Sequence, residues 1–273
     1  MAQLSGLVGP PLEGKAMHAV AKSEARIKEV KVAGGIGERH GYIGEPGQLD
    51  VSSQVFLVVR PFAGARIEPH FHDVDQFQVV VDGDGRIGKK KVRPITFQYA
   101  DAFTPYGPII ANEQGLSFFT LRNIASGGFW AMPGNKQSMP GRAGRNIEGV
   151  FDLEAGVPTE GQVIREQLMP RQDDGVDAVG IRLGPNARAA GLASERKGQF
   201  YLVCAGTLLA DGKVLPERSI VRLEADDPTM ELVAGPDGAQ VLAVQFSAPS
   251  ERPGTDPAKL ASRAEKGYQN IRA

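Results

Sequence analysis

Two histidines separated by one residue, His70 and His72, and the amide of Gln76 four residues further on are the side chains of this 273-residue chain best placed to do chemistry. In an extended strand, residues two apart share a face, so both imidazoles can present ring nitrogens to one point. The stretch Asp73-Val74-Asp75 reads as a turn, after which Gln76 opens the next strand opposite the histidines. Its amide oxygen is a hard, neutral donor. With the two imidazoles it makes a three-sided set able to hold one divalent ion, iron, manganese, nickel or zinc, while leaving other coordination positions open. Neutral donors leave the charge of such an ion uncompensated, so the site should favour an anionic ligand such as a carboxylate, an enolate or hydroxide. The same residues also read as a metal-free pocket, with the two histidines hydrogen-bonded inside it and something else bound.

Three further positions are expected to line the same interior and bind substrate. Gln78 shares the strand face of Gln76, Gln98 lies on a later apolar segment, and Tyr106 sits in the Pro105–Pro108 turn. Arg60, Arg66 and Arg122 could neutralise an anionic substrate if they face inward, although single arginines at strand ends are usually solvated. Asp73 and Asp75 read as turn residues. Cys204, the single cysteine, lies in the apolar run Phe200–Ala205 and reads as a buried small side chain, with no disulfide or multi-cysteine zinc site open to the chain.

The elements that must carry these residues are strands. Thirty-four glycines and nineteen prolines cut the chain into short segments rich in Val, Ile and Phe, such as Val55–Val59, Phe77–Val81, Ile95–Tyr99 and Leu116–Leu121. The chain also repeats itself. Gln76 to Gly83 (QFQVVVDG) matches Gln199 to Gly206 (QFYLVCAG) at one offset (199 − 76 = 123), which also pairs Pro105 with Pro228 and Gly115 with Gly238. Two copies of one β-rich unit follow, over residues 50–125 and 175–250. An N-terminal arm, 1–49, precedes them with a strand around Ile27–Val32. A Gly/Pro-rich segment, 126–174, holding the only tryptophan, Trp130, joins them and is expected to wrap a surface or cover a site. The tail, 251–273, reads as a short helix after Asp256-Pro257.

Gly64, His70, His72, Gln76 and Gly83 resemble, spacing for spacing, the first motif of the cupin superfamily, with glutamine where the family usually has glutamate. Pro105-Tyr106-Gly107 supplies the turn of the second motif, but Ile110 stands where its histidine would be. The resemblance covers both repeats and is to two-barrel members, the bicupins. In the second copy Ala193, Glu195 and Gln199 replace His70, His72 and Gln76, so that site reads as degenerate. The resemblance implies an all-β protein of two tandem cupin-type antiparallel barrels (double-stranded β-helix, or jelly roll) with few short helices. It further implies a metal-dependent small-molecule enzyme with one mononuclear site in the first barrel, a dioxygenase or a related isomerase or lyase acting on an anionic, oxygen-bearing substrate. The alternative is a metal-free metabolite-binding or regulatory bicupin without catalysis.

A net charge of −1, with both signs scattered along the chain, offers no basic stripe for nucleic acid or anionic membrane. No apolar run reaches spanning length and the N-terminus lacks a signal pattern, so a cytoplasmic protein is expected. A glycine-containing arm too short for its own core is expected to add a strand to a neighbouring subunit, giving a homodimer.

Overall fold

The structure, a computed structural model, describes residues 17–48, 53–139, 144–193, 195 and 198–247. The expected helix after Asp256 lies outside them. Regular structure is almost all strand, with 3-10 turns at Lys22–Glu24 and Lys136–Ser138. Among the described residues no helix is long and apolar enough to cross a membrane.

Two antiparallel sheets carry the two repeats. The first runs Asn146–Val150, Thr96–Ala100, Gln76–Ile87, Ile109–Arg122, Gln54–Arg60, Gly35–Ile43, Arg26–Val32; the second runs His18–Val20, Ile220–Leu223, Gln199–Ala210, Glu231–Gln245, Asp177–Leu183, Val163–Gln167. The offset of 123 holds in the register itself. Gln54 pairs with Arg122 and Gln78 with both Gln98 and Thr120, while Asp177 pairs with Gln245 and Tyr201 with both Val221 and Ala243. Gln76 and Gln199 therefore occupy equivalent places. The repeated glycines have a shared cause: Gly83 and Gly206 take φ of 70° and 71°, and a Cβ on either would lie 2.1 or 2.2 Å from the carbonyl oxygen of Gly115 or Gly238. No larger residue fits where these long strands bend against each other.

Strands such as QFQVVV are apolar on one face and mixed on the other because both faces are buried. Outward-facing Phe77, Val79, Phe97, Tyr99, Phe119 and Leu121 form one core with Phe200, Leu202, Leu242, Val244 and Phe246 of the second sheet. Inward-facing Val80, Ala100, Tyr106, Ile109 and Phe118 form the floor of the first barrel. The second barrel has its own apolar filling, which includes Ile181, Leu183, Tyr201, Leu208, Leu215 and Leu232. Cys204 is buried, and burial pushes its thiol up to about 12.

The arm and the connector are structured by these sheets. The expected strand near Ile27 is Arg26–Val32, but the arm's strands pair inside their own chain. His18–Val20 joins Ile220–Leu223 of the second sheet, and Gly35–Ile43 joins Gln54–Arg60 of the first. In the connector, Asn146–Val150 extends the first sheet, Val163–Gln167 extends the second, and Trp130–Ala131 pairs with His70–Phe71. Its described strands thus join both sheets, and Trp130–Ala131 lies against the strand that begins with His70.

Candidate functional site

His70 opens the short strand His70–Phe71 that Trp130–Ala131 covers and His72 directly follows it; both are buried with ring centroids 5.3 Å apart. Each ring is tethered by a backbone carbonyl. His70 Nδ1–H donates to Glu68 O at 2.7 Å and His72 Nδ1–H to Gly128 O at 2.5 Å, so both Nε2 atoms carry lone pairs. Phe129 stacks on His70 at 4.2 Å, and Trp130 stacks on Phe71 at 5.7 Å, closing the connector over the site.

The lone pairs meet two donors. Tyr106 O–H donates to His70 Nε2 at 2.7 Å, and Arg122 Nη2 donates to His72 Nε2 at 3.1 Å. Arg122 Nε also donates to Gln76 Oε1 at 3.2 Å, and its Nη1 to Gln54 Oε1 at 3.4 Å. The Tyr106 oxygen in turn accepts from Gln76 Nε2 at 2.5 Å and from Gln78 Nε2 at 3.2 Å. Of the residues the sequence nominates, His70, His72, Gln76, Gln78 and Tyr106 thus form one connected network. Gln98 is buried beside Gln78 on the next strand but donates to Asn146 Oδ1 at 3.1 Å, towards the barrel rim. Arg66 turns outward to Glu68, and Arg60 donates to the carbonyl of Val59.

The sequence singles out Arg122 only as one of three arginines able to neutralise an anionic substrate if they face inward, and of the three it is the one that joins this network; it is only 7% exposed. The repeat carries a signal for it, since Arg122 aligns with Gln245, a neutral residue, so this interior charge belongs to the first barrel alone. Asp73, read as a turn residue, is buried and accepts from Ser126 Oγ at 2.9 Å and Gly127 N at 3.0 Å, which fixes the start of the covering segment. Burial raises its carboxyl pKa against the pull of these donors and of the Arg122 charge.

The donor set does not fit a divalent ion as arranged. His72 Nε2 and Gln76 Oε1 are bound by a guanidinium that keeps its proton throughout the physiological range, and His70 Nε2 is bound by a phenol. An ion placed among them would face a like charge at hydrogen-bond distance, with no carboxylate ligand in the set. Among the described residues no three His, Cys, Asp or Glu side chains gather as a metal site.

Burial holds both imidazoles neutral. It lowers His70 to about 4, with the Glu68 carbonyl opposing and the Arg122 charge adding, and it takes His72 well below the usual value, with Arg122 and His70 adding. The unfolded chain binds a proton at His70 below about pH 6.5 whereas the folded chain waits until about 4. Stability should therefore fall as pH drops through that window, by on the order of 3 kcal/mol from His70. Asp73, with its raised pKa, works in the opposite sense. Thermal melts at pH 7.5 and 4.5 should show the acidic midpoint roughly 6–12 °C lower, with a flatter profile for His70→Gln; a pH-independent wild-type midpoint would disprove the neutral buried histidine.

In the second barrel the equivalent positions are closed by the chain itself. Gln199 Nε2 donates to Gln245 Oε1 at 3.1 Å, and Tyr201, in place of Gln78, donates to Gln199 Oε1 at 2.8 Å and accepts from Leu192 N. Glu195 pairs with Arg171.

No protein-family model matches the sequence, and no curated protein matches it. Solved structures do match its fold. A chain from Nostoc punctiforme, provisionally assigned as a dioxygenase, is 11% identical with a TM-score of 0.60, over 87% of this chain and 85% of that one. The pirin of Escherichia coli, in complex with nickel(II), is 12% identical with a TM-score of 0.53, over 85% of this chain and 100% of that one. Oxalate decarboxylase from Bacillus subtilis is 13% identical with a TM-score of 0.54, over 85% of this chain and 76% of its own.

Proposed function

Because the chain carries the two-barrel cupin fold, we propose that its first barrel is a metal-independent site that binds a small carboxylate-bearing molecule at Arg122 and moves its protons. The observation that carries this reading is the guanidinium of Arg122, buried in the barrel interior at the place where the histidines and Gln76 converge. The acceptors that its guanidinium meets there, Gln76, Gln54 and His72, are neutral groups, and a planar carboxylate matches its fork of donors. When an anion takes the guanidinium, His72 Nε2 is released beside it as an unprotonated base. Tyr106, whose pKa burial raises, stays protonated as an acid on the other side of Gln76. A neutral base and a neutral acid flanking a bound carboxylate suit proton transfer at an adjacent carbon, the chemistry of an isomerase or lyase.

A second reading, a divalent-metal enzyme of dioxygenase type on His70, His72 and Gln76, is favoured by one observation. Both Nδ1–H groups are tied to carbonyls with both Nε2 atoms turned inward, as in ligating histidines. The nickel(II) of pirin and the Mn(II) centres of Bacillus subtilis oxalate decarboxylase are consistent with it. It requires Arg122 to withdraw.

Elemental analysis of protein purified without added metal or chelator, followed by calorimetric titration with small carboxylates and then with Fe, Mn, Ni and Zn, tests the proposal. Substoichiometric metal, no metal uptake and saturable carboxylate binding are expected. Stoichiometric bound metal would overturn the metal-independent site.

A further inference from the structure

We infer that the molecule held in the first barrel is a hydroxycarboxylate, and that Gln78 selects its hydroxyl group; this rests on the carboxylate reading of Arg122. Gln78 is 3% exposed, and its Oε1 is buried without a hydrogen-bond donor among the described residues. The direction of its amide is fixed from the other end. Tyr106 donates to His70 Nε2 and accepts from the Nε2 atoms of both Gln76 and Gln78, which uses up its hydroxyl and turns the Gln78 oxygen away from it. The cross-strand neighbours are directed elsewhere: Gln98 Nε2 donates to Asn146 Oδ1, and Thr120 Oγ1 donates to Phe56 O at 3.4 Å.

A buried amide oxygen with no donor is a standing penalty, which a ligand bringing an O–H relieves. Gln76 bonds Arg122 through its oxygen and Tyr106 through its nitrogen, and Tyr106 bonds Gln78, so two successive side chains link the guanidinium proposed for the carboxylate to the amide proposed for the hydroxyl. The second barrel supplies the contrast. There Tyr201 stands at the position of Gln78, and its hydroxyl is satisfied by Gln199 and Leu192, leaving nothing for a ligand to meet.

Matched pairs, glycolate against acetate and lactate against propionate, titrated calorimetrically into the full-length protein test this. Wild type should prefer the hydroxy acid by at least about fivefold, since a site built to bond a hydroxyl leaves its own polar atom unpaired against the analogue. In Gln78→Leu the preference should collapse to about one. Gln78→Met, closer in shape, answers the same question if leucine does not pack, with circular dichroism confirming the fold of each variant. Equal affinity of wild type for both members of each pair would overturn the inference while leaving the Arg122 site standing. Binding of neither member would overturn that site and the inference together.

Discussion

Replacing Arg122 by methionine should remove carboxylate binding and, in the same protein, open a divalent-metal site. The guanidinium supplies the positive charge and the donors on which an anion would rest, and losing a charged, buried partner costs about 2–5 kcal/mol, so affinity should fall by roughly 30-fold or more. Methionine fills similar volume without donors. His72 Nε2 and Gln76 Oε1 then lose the groups that occupy them, and both histidines keep the carbonyl tethers that point their Nε2 atoms inward. Nickel titrated into Arg122→Met should bind at one site per chain, and wild type should show none. Changing Gln76 to glutamate alone should not achieve this, because the new carboxylate would pair with Arg122; the double variant Arg122→Met/Gln76→Glu should bind nickel most tightly. If Arg122→Met binds carboxylates as well as wild type does, the guanidinium is not the anchor.

The largest effect on stability is expected at the seam between the sheets. Phe246 is 1% exposed, and its ring lies 5.2 Å from Phe77, 6.3 Å from Tyr99 and 5.8 Å from Phe200. Phe246→Ala removes a ring shared by both repeats and leaves a cavity in a rigid aromatic cluster, which should destabilise the protein by about 3–5 kcal/mol. For a chain of this size that lowers the midpoint by roughly 6–20 °C. Because the seam is one continuous core, calorimetry should show a single transition for wild type and variant alike; two separated transitions would mean that the barrels unfold independently.

The strands and their pairing were legible because they rest on local patterns that two copies of the sequence state twice. Gln76 and Gln199, or Gly83 and Gly206, each report the same register from separate stretches of chain. The convergence of His70, His72 and Gln76 followed from strand periodicity and one turn. Arg122 was not legible as the centre of the network, because its direction depends on being the last inward position of Ile109–Arg122, and inward or outward at a strand end is decided by the neighbouring strands. The role of Asp73 was hidden for a related reason: its partners Ser126 and Gly127 lie more than fifty positions away, in a segment without periodicity. The connector and the arm contribute edge strands whose own composition is mixed. Such strands are specified by the ladder they join, as the half-exposed Asn146–Val150 is by Thr96–Ala100.

The arm also sets an order of events during synthesis. Its strands Arg26–Val32 and Gly35–Ile43 can dock as soon as Gln54–Arg60 has emerged, but His18–Val20 must wait for Ile220–Leu223. The contact between Lys22 and Ser219 joins residues 197 positions apart. His18–Val20 thus leaves the ribosome long before the strand it pairs with, and has to be kept from other partners until the second barrel is made. Ribosome-bound chains that stop before Ile220 should leave His18–Val20 open to protease, whereas full-length protein should protect it.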